Sequence, residues 1–180
     1  MSIPSLRVRM ARAQIRNVGK SMTVGPHFVV RGGAYITIGD DFHCGPDTTI
    51  AAWDRYQGEI FHPHIVIGAG VRINASAYIS AIDSITIGDN VLFGRGVLIV
   101  DNSHGRLSPE EVDIPPAQRK LYSKGPVVIE DNVWLGEGVA VMPGVRIGYS
   151  AVIGAHSVVT SDIPARCVAV GSPARVIKQL

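Results

Sequence analysis

Between Ile129 and Val159 a bulky aliphatic residue returns at every sixth position: Ile129, Leu135, Val141, Ile147, Ile153 and Val159. Neither a helix, with its period of 3.6, nor an alternating strand produces that spacing. A period of six belongs to a solenoid whose six-residue unit lays one short strand and one corner on the face of a prism. One aliphatic per unit is expected to point to the axis, so that stacked coils bury a continuous core. Each such side chain contributes roughly 1.5–3 kcal/mol when fully buried. Smaller residues stand four places further on, at Val133, Val139, Val145, Ala151 and Ser157.

The ladder extends well beyond that stretch. It begins near Val24, firms up at Ile38-Gly39-Asp40-Asp41, passes Cys44 and Ile50, and breaks over 52–64. It resumes at Ile67, Ile73 and Ile79, shifts by two, and continues at Ile87, Phe93 and Ile99. A second break runs over 105–125, and Ile129 stands 30 residues after Ile99, in the same frame. The expected organisation is one all-β domain, 1–180, with an N-terminal cap 1–23 and a β-helix 24–163 that carries the loops 52–64 and 105–125. A C-terminal tail 164–180 follows, in which Pro164 and Pro173 are expected to stop strand propagation. Corners such as Ile87-Gly88-Asp89-Asn90 and Ile129-Glu130-Asp131-Asn132 supply the Gly and Asn that tolerate positive φ.

A net charge of +2 does not indicate a general nucleic-acid binder. No apolar run approaches the ~20 residues of a membrane span, and the N-terminus lacks a signal-peptide core, so a cytoplasmic protein is expected. Cys44 and Cys167 read as free thiols of a reducing compartment. Arg7, Arg9, Arg12, Arg16 and Lys20 precede the first acid, Asp40. They read as a solvated cap on the first coil, with peripheral contact to a membrane surface or an anionic polymer as the alternative. In the first loop His62 and His64 could form a metal pair, but without nearby ligands they read as exposed histidines. Trp53, Tyr56 and Phe61 make that loop a candidate wall for a sugar or a neighbouring subunit.

The hexads, the segment Asn102-Ser103-His104-Gly105 before the second loop, Asn132-Val133-Trp134-Leu135-Gly136 after it, and the ending Val170-Gly171-Ser172-Pro173-Ala174-Arg175-Val176-Ile177 combine into a more specific pattern. Together they resemble the hexapeptide-repeat acyltransferases over residues 24–178. Within that family the chain looks most like galactoside and maltose O-acetyltransferases and those of capsule and lipopolysaccharide synthesis. The resemblance implies a left-handed parallel β-helix of three-sided coils. It also implies a homotrimer with active sites between subunits, acetyl-CoA as cosubstrate, no required metal, and a sugar or glycan acceptor. The left hand opposes the general crossover rule, so it rests on the resemblance alone.

By the same resemblance His104 is the general base, taking the proton of an acceptor hydroxyl as it attacks the thioester. Asp101, Glu110 or a backbone carbonyl could orient its ring. The backbone amide of Glu137 matches the oxyanion donor, where relatives carry a small hydroxyl residue. Trp134 matches the tryptophan that flanks pantetheine, and Gly136 stands with it in the groove. Ala155, Thr160, Arg175 and Lys178 match positions that contact CoA, the two cations suiting its phosphates. Relatives place a basic residue after Thr160, whereas Ser161-Asp162 follows here. Asn74 matches an asparagine that binds the sugar hydroxyl, and Asp83 is a further acceptor-site candidate.

These features make a sugar O-acetyltransferase working by direct transfer the leading reading. N-acetylation of an amino sugar is a rival within the class, and serine acetylation fits less well because the long N-terminal helical region is missing. From other classes, a zinc lyase of the γ-carbonic-anhydrase type needs three convergent histidines, and a catalytically silent trimeric scaffold needs none.

Overall fold

The computed structural model describes residues 5–106 and 108–180. From Asn17 onward the chain winds as a three-sided coil, and its short strands stack into three sheets of six, eight and six strands, one on each face of a prism. The first face includes Ile36–Ile38, His64–Ile67, Ser84–Ile87 and Val127–Ile129, and the second includes Phe42–Cys44, Leu92–Phe93, Trp134–Leu135 and Val152–Ile153. The third includes Thr49–Ala52, Tyr78–Ala81, Leu98–Val100 and Ala140–Val141. Pairing between coils is parallel throughout the three ladders, except for the last strand of the second face. No helix among the described residues is long and apolar enough to cross a membrane.

The core is the inside of the prism. All six ladder residues from Ile129 to Val159 are fully buried, and so are Val133, Val139, Ala151 and Ser157, with Val145 nearly so. Each hexad therefore sends two side chains inward, not one. The reason is the alternation of a strand: where Val133 and Leu135 point in, Trp134 between them must point out. The second inward position accepts small residues because it sits next to the corner. Corner backbones turn through positive φ at Gly70, Asn90 and Asn132, as that composition suggests. Aspartates of these corners tie the coils together, since Asp89 Oδ1 accepts the amide of Ala69 at 2.7 Å and Asp131 Oδ1 that of Asp89 at 2.8 Å.

Three boundaries differ from those read in the sequence. Asn17–Val18 already pairs with the strand Ile36–Ile38, so the coils start ahead of Val24; a two-residue strand carries no hexad signal. Ahead of it the helix α1, Leu6–Gln14, lays Val8 and Ala11 on the open end of the core, with Ser5 accepting the amide of Val8 as its N-cap. At the other end the ladder does not stop at Pro164. Cys167–Val170 adds another strand to the second face, because Pro164 occupies a corner, and Arg175–Gln179 then folds back against it antiparallel. The loop 105–125 is entered and left through an antiparallel pair, Asn102–His104 with Leu121–Ser123.

Phe93→Ala, which empties one of the largest fully buried side-chain volumes, is expected to cost about 3–5 kcal/mol in urea unfolding. Val66→Thr on the outer side of the first face is expected to stay within about 0.5 kcal/mol.

Candidate active site

A cleft of about 490 Å³ runs along the corner between the second and third faces. Successive coils present Asn74, Gly94, Gly136 and Gly154 there, each directly after an inward residue of the second face. Glycine is required by the stacking itself: a Cβ on Gly94 would lie 2.4 Å from the amide nitrogen of Glu137, and one on Gly136 would lie 2.7 Å from that of Ala155. The wall is apolar, formed by the outward side chains Leu92, Trp134 and Val152, which stand in register on adjacent strands. Trp134 is 52% exposed, a large unpartnered surface for a tryptophan. The N–H groups of Glu137 and Ala155 donate to no group among the described residues, so they are free to meet a ligand at this corner.

The structure thus brings Asn74, Trp134, Gly136, Glu137 and Ala155 together. Arg175 and Lys178 stand on the last strand of the same face, paired with Val170 and Val168, beyond the end of the cleft. Thr160 does not join them. It follows Val158–Val159 of the third face and is exposed at a different corner.

His104 lies at that other side of the third face, on the arm that leaves after Leu98–Val100. Its ring is exposed and packs edge-on against Tyr56, with centroids 5.6 Å apart at 73°. Tyr56 comes from the first loop, where Arg55–Tyr56 pairs with Glu59–Ile60 in a small hairpin. That hairpin is joined to the arm: Tyr56 Oη donates to the carbonyl of Ala117 at 3.3 Å, and Lys120 pairs with Glu59 at 2.7 Å. The two excursions form one lobe, a contact of which the sequence carried no sign. His62 and His64 are exposed, and among the described residues no group of three or more His, Cys, Asp or Glu is gathered as for a metal.

Of the groups considered for orienting His104, Asp101 is committed elsewhere. It is fully buried, and its carboxylate accepts the amides of Ile82 at 2.9 Å and Asp83 at 2.8 Å and the side-chain amide of Asn102 at 3.0 Å. Its work is to clamp the root of the arm to the preceding coil. Asp83 shares that root, its Oδ2 accepting from Ser123 Oγ at 3.2 Å. Glu110 is exposed, and a hydrogen bond from Ser108 holds its carboxyl below the usual range. Burial pushes the Asp101 carboxyl above its ordinary value, and the three donated bonds pull it back. Ionising it therefore costs the folded state. That part of stability is fullest in acid and declines as pH rises from the ordinary carboxylate range through the raised value.

The family signature described as "Bacterial transferase hexapeptide (six repeats)" matches residues 126–161. WbbJ of Escherichia coli K12, provisionally named a lipopolysaccharide biosynthesis O-acetyl transferase, is 38% identical over 154 residues, 83% of this chain and 74% of that protein. The chain spans 54–55% of the length of two galactoside O-acetyltransferases, from Lactococcus lactis and Escherichia coli. Among solved structures, a maltose O-acetyltransferase from Clostridium difficile superposes with a TM-score of 0.64 at 30% identity, covering 97% of this chain and 74% of that one. A hexapeptide-repeat acetyltransferase of Vibrio cholerae in complex with acetyl-coenzyme A gives 0.55 at 26% identity, covering 98% and 79%. The chain belongs to the hexapeptide-repeat acetyltransferase family, and its coil is the left-handed parallel β-helix of that family.

Two outcomes follow from the buried groups. Asp101→Asn, which turns an amide toward a backbone N–H, is expected to cost about 1–3 kcal/mol and to speed hydrogen exchange at Ile82 and Asp83. Cys44, fully buried and with its thiol pushed up to about 12 by burial, and Cys167, also fully buried with a raised thiol, are expected to ignore an aromatic disulfide reagent near neutral pH. Both should react once the protein is unfolded.

Proposed function

We propose that this protein is a CoA-dependent O-acetyltransferase that moves an acetyl group from acetyl-CoA to a hydroxyl of a sugar or polysaccharide precursor in the cytoplasm. The observation that carries the reading is the division of the candidate site. The cleft with Trp134 lies at one edge of the third face and His104 at the opposite edge, on the arm that leaves after Leu98–Val100. Within one chain the third face separates the two, whereas in a ring of three each arm would reach the next cleft and close three complete sites.

In such a site the acetyl-CoA chain lies along the apolar wall, with Trp134 against pantetheine and Gly136, Glu137 and Ala155 at its thioester end. Arg175 and Lys178 face the CoA phosphates, and Thr160, at the corner on the arm's side, joins the CoA set from the neighbouring subunit. Asn74 of one subunit, with Asp83 beside the neighbour's arm, holds the acceptor. His104 removes the hydroxyl proton while the oxygen forms its bond to the thioester carbon. The resulting oxyanion is met by the free amide of Glu137. When the C–S bond breaks, the imidazolium returns the proton to the departing thiolate. The buried, protonated state of Cys44 and Cys167 supports direct transfer without an acyl-cysteine. O- rather than N-transfer is supported by two relatives of at least 30% identity that cover most of the chain and are named O-acetyltransferases.

His104→Ala is expected to lower turnover about 10²–10⁴-fold with acetyl-CoA and a responsive acceptor, measured as thiol release. Ala155→Trp, which fills the cleft, should be inactive as well. Mixing these two dead variants and allowing subunits to exchange should restore part of the activity, since some interfaces then join an intact histidine to an intact cleft. Absence of any recovery, with exchange verified, would refute sites shared between subunits. Stoichiometric zinc in the purified protein would favour the lyase instead.

A further inference from the structure

The helix that closes the first coil is apolar on two opposite sides. Val8 and Ala11, with Ile15 just beyond, face the core. At 100° per residue the opposite ridge is Leu6, Met10 and Ala13. Leu6 is 70% and Met10 59% exposed, while Arg7 and Arg9 stand on the two flanks of that ridge. Covering the core requires only the first side. Among the described residues the second side closes no part of the core, and only Met10 borders a shallow cleft with Phe28 and Val29.

The charge around it is equally one-sided. Residues 1–39 hold six of the 17 basic residues and none of the 15 acidic ones, so the rest of the chain carries 11 basic against 15 acidic. Arg12 is structural, donating to the carbonyls of Val18 at 3.2 Å and Gly19 at 2.8 Å. Arg7, Arg9, Arg16 and Lys20 form no ion pair among the described residues. The protein is thus a positive cap on a negative prism.

We infer that this end of the prism docks on an anionic lipid bilayer, with Leu6 and Met10 entering the boundary between headgroups and acyl chains. The flanking arginines would then lie at headgroup level, where lipid phosphates and carboxylates neutralise them. An apolar ridge between two rows of cations fits a planar surface that offers both a negative layer and a hydrocarbon interior. A soluble polyanion would satisfy the arginines and leave Leu6 and Met10 in water. A second copy docked cap to cap would oppose like charges. The surface exists on a single chain. Its multiplication into three coplanar ridges rests on the trimer proposed above, in which all helices lie at the same end and their weak individual affinities combine.

The test is co-sedimentation of the full chain with vesicles of phosphatidylglycerol and phosphatidylcholine, against vesicles of phosphatidylcholine alone. Wild type should sediment with the first and not the second, and binding should fall as salt is raised. Leu6→Ser with Met10→Ser, and separately Arg7→Glu with Arg9→Glu, should each weaken partitioning at least about tenfold. Both pairs should leave the melting temperature and the activity on a soluble acceptor unchanged. As a readout independent of deletion, Met10→Cys labelled with a polarity-sensitive dye should shift to the blue on anionic vesicles; the two natural cysteines are buried and stay unlabelled. The inference is overturned if wild type stays in solution with anionic vesicles at low salt. It is equally overturned if the serine pair binds as well as wild type, which would make the cap a general polyanion surface, or if the dye does not shift. Light scattering on the same samples keeps this separate from the assembly: a monomer that binds through Leu6 and Met10 upholds the surface and removes the trimer.

Discussion

The coils of this protein are held together by backbone hydrogen bonds from each to the coil stacked upon it. Gly39 donates to Ile67, Gly68 to Ile87, Gly88 to Ile129 and Gly148 to Ile163, one step of the prism at a time. A solenoid made this way has no centre, only a repeated contact, and its stability grows with each added layer. The same arrangement makes the two ends its weak points, because the last layer has no neighbour. One end is closed by a helix whose buried side belongs to the core. At the other, a strand turns back on the second face and occupies the edge that would otherwise remain open.

The stacking also sorts residues by job. Inward positions are fixed by volume, corner positions by close approach of backbones, and outward positions by neither. Leu92, Trp134 and Val152 are outward neighbours on three coils, so a flat apolar strip results from nothing more than register. Beside it the corner glycines keep the backbone bare, which exposes amide groups at the edge of the strip. In the proposed reading the apolar wall takes the methylene and methyl groups of the pantetheine arm, and the bare backbone edge meets its polar groups and the thioester. On the same reading His104 comes from outside the repeat, since a regular coil offers no projecting element to hold a side chain over such a strip.

How much of this is written in the sequence depends on the residue. Ile129 to Val159 announce their burial by spacing, and the frame kept from Ile99 to Ile129 is matched by actual pairing of Ile99 with Val141 across the arm. Val133 and its equivalents were visible as a second repeat, yet their inward direction follows only from strand alternation. Asn17 and Val18 were missed because two residues are too few for a period. Cys167–Val170 was missed because a proline at a corner looks the same as a proline that ends a strand. Asp101 was noticed for standing near His104, but its partners lie 18 and 19 residues earlier, and no local pattern connects a carboxylate to amides in the preceding coil. Trp134 and Ala155 were placed together by family resemblance. That Thr160 stands apart from them within one chain, and that Tyr56 leans on His104, are matters of three-dimensional course alone.

The arm is an insertion in an otherwise continuous ladder. It departs after Val100 and returns before Val127, while the strands on either side, Ser84–Ile87 and Val127–Ile129, pair as though nothing lay between them. Its root is held by Asp101 and by one antiparallel pair, and the ladder beyond is indifferent to what happens further out. The barrel of coils and the arm are thus separable inheritances. Length and composition past the root can drift, be exchanged or be redesigned without touching a single core contact. A lineage built on this prism can therefore rewrite one surface segment, and whatever that segment recognises, while the wall of Leu92, Trp134 and Val152 stays as it was.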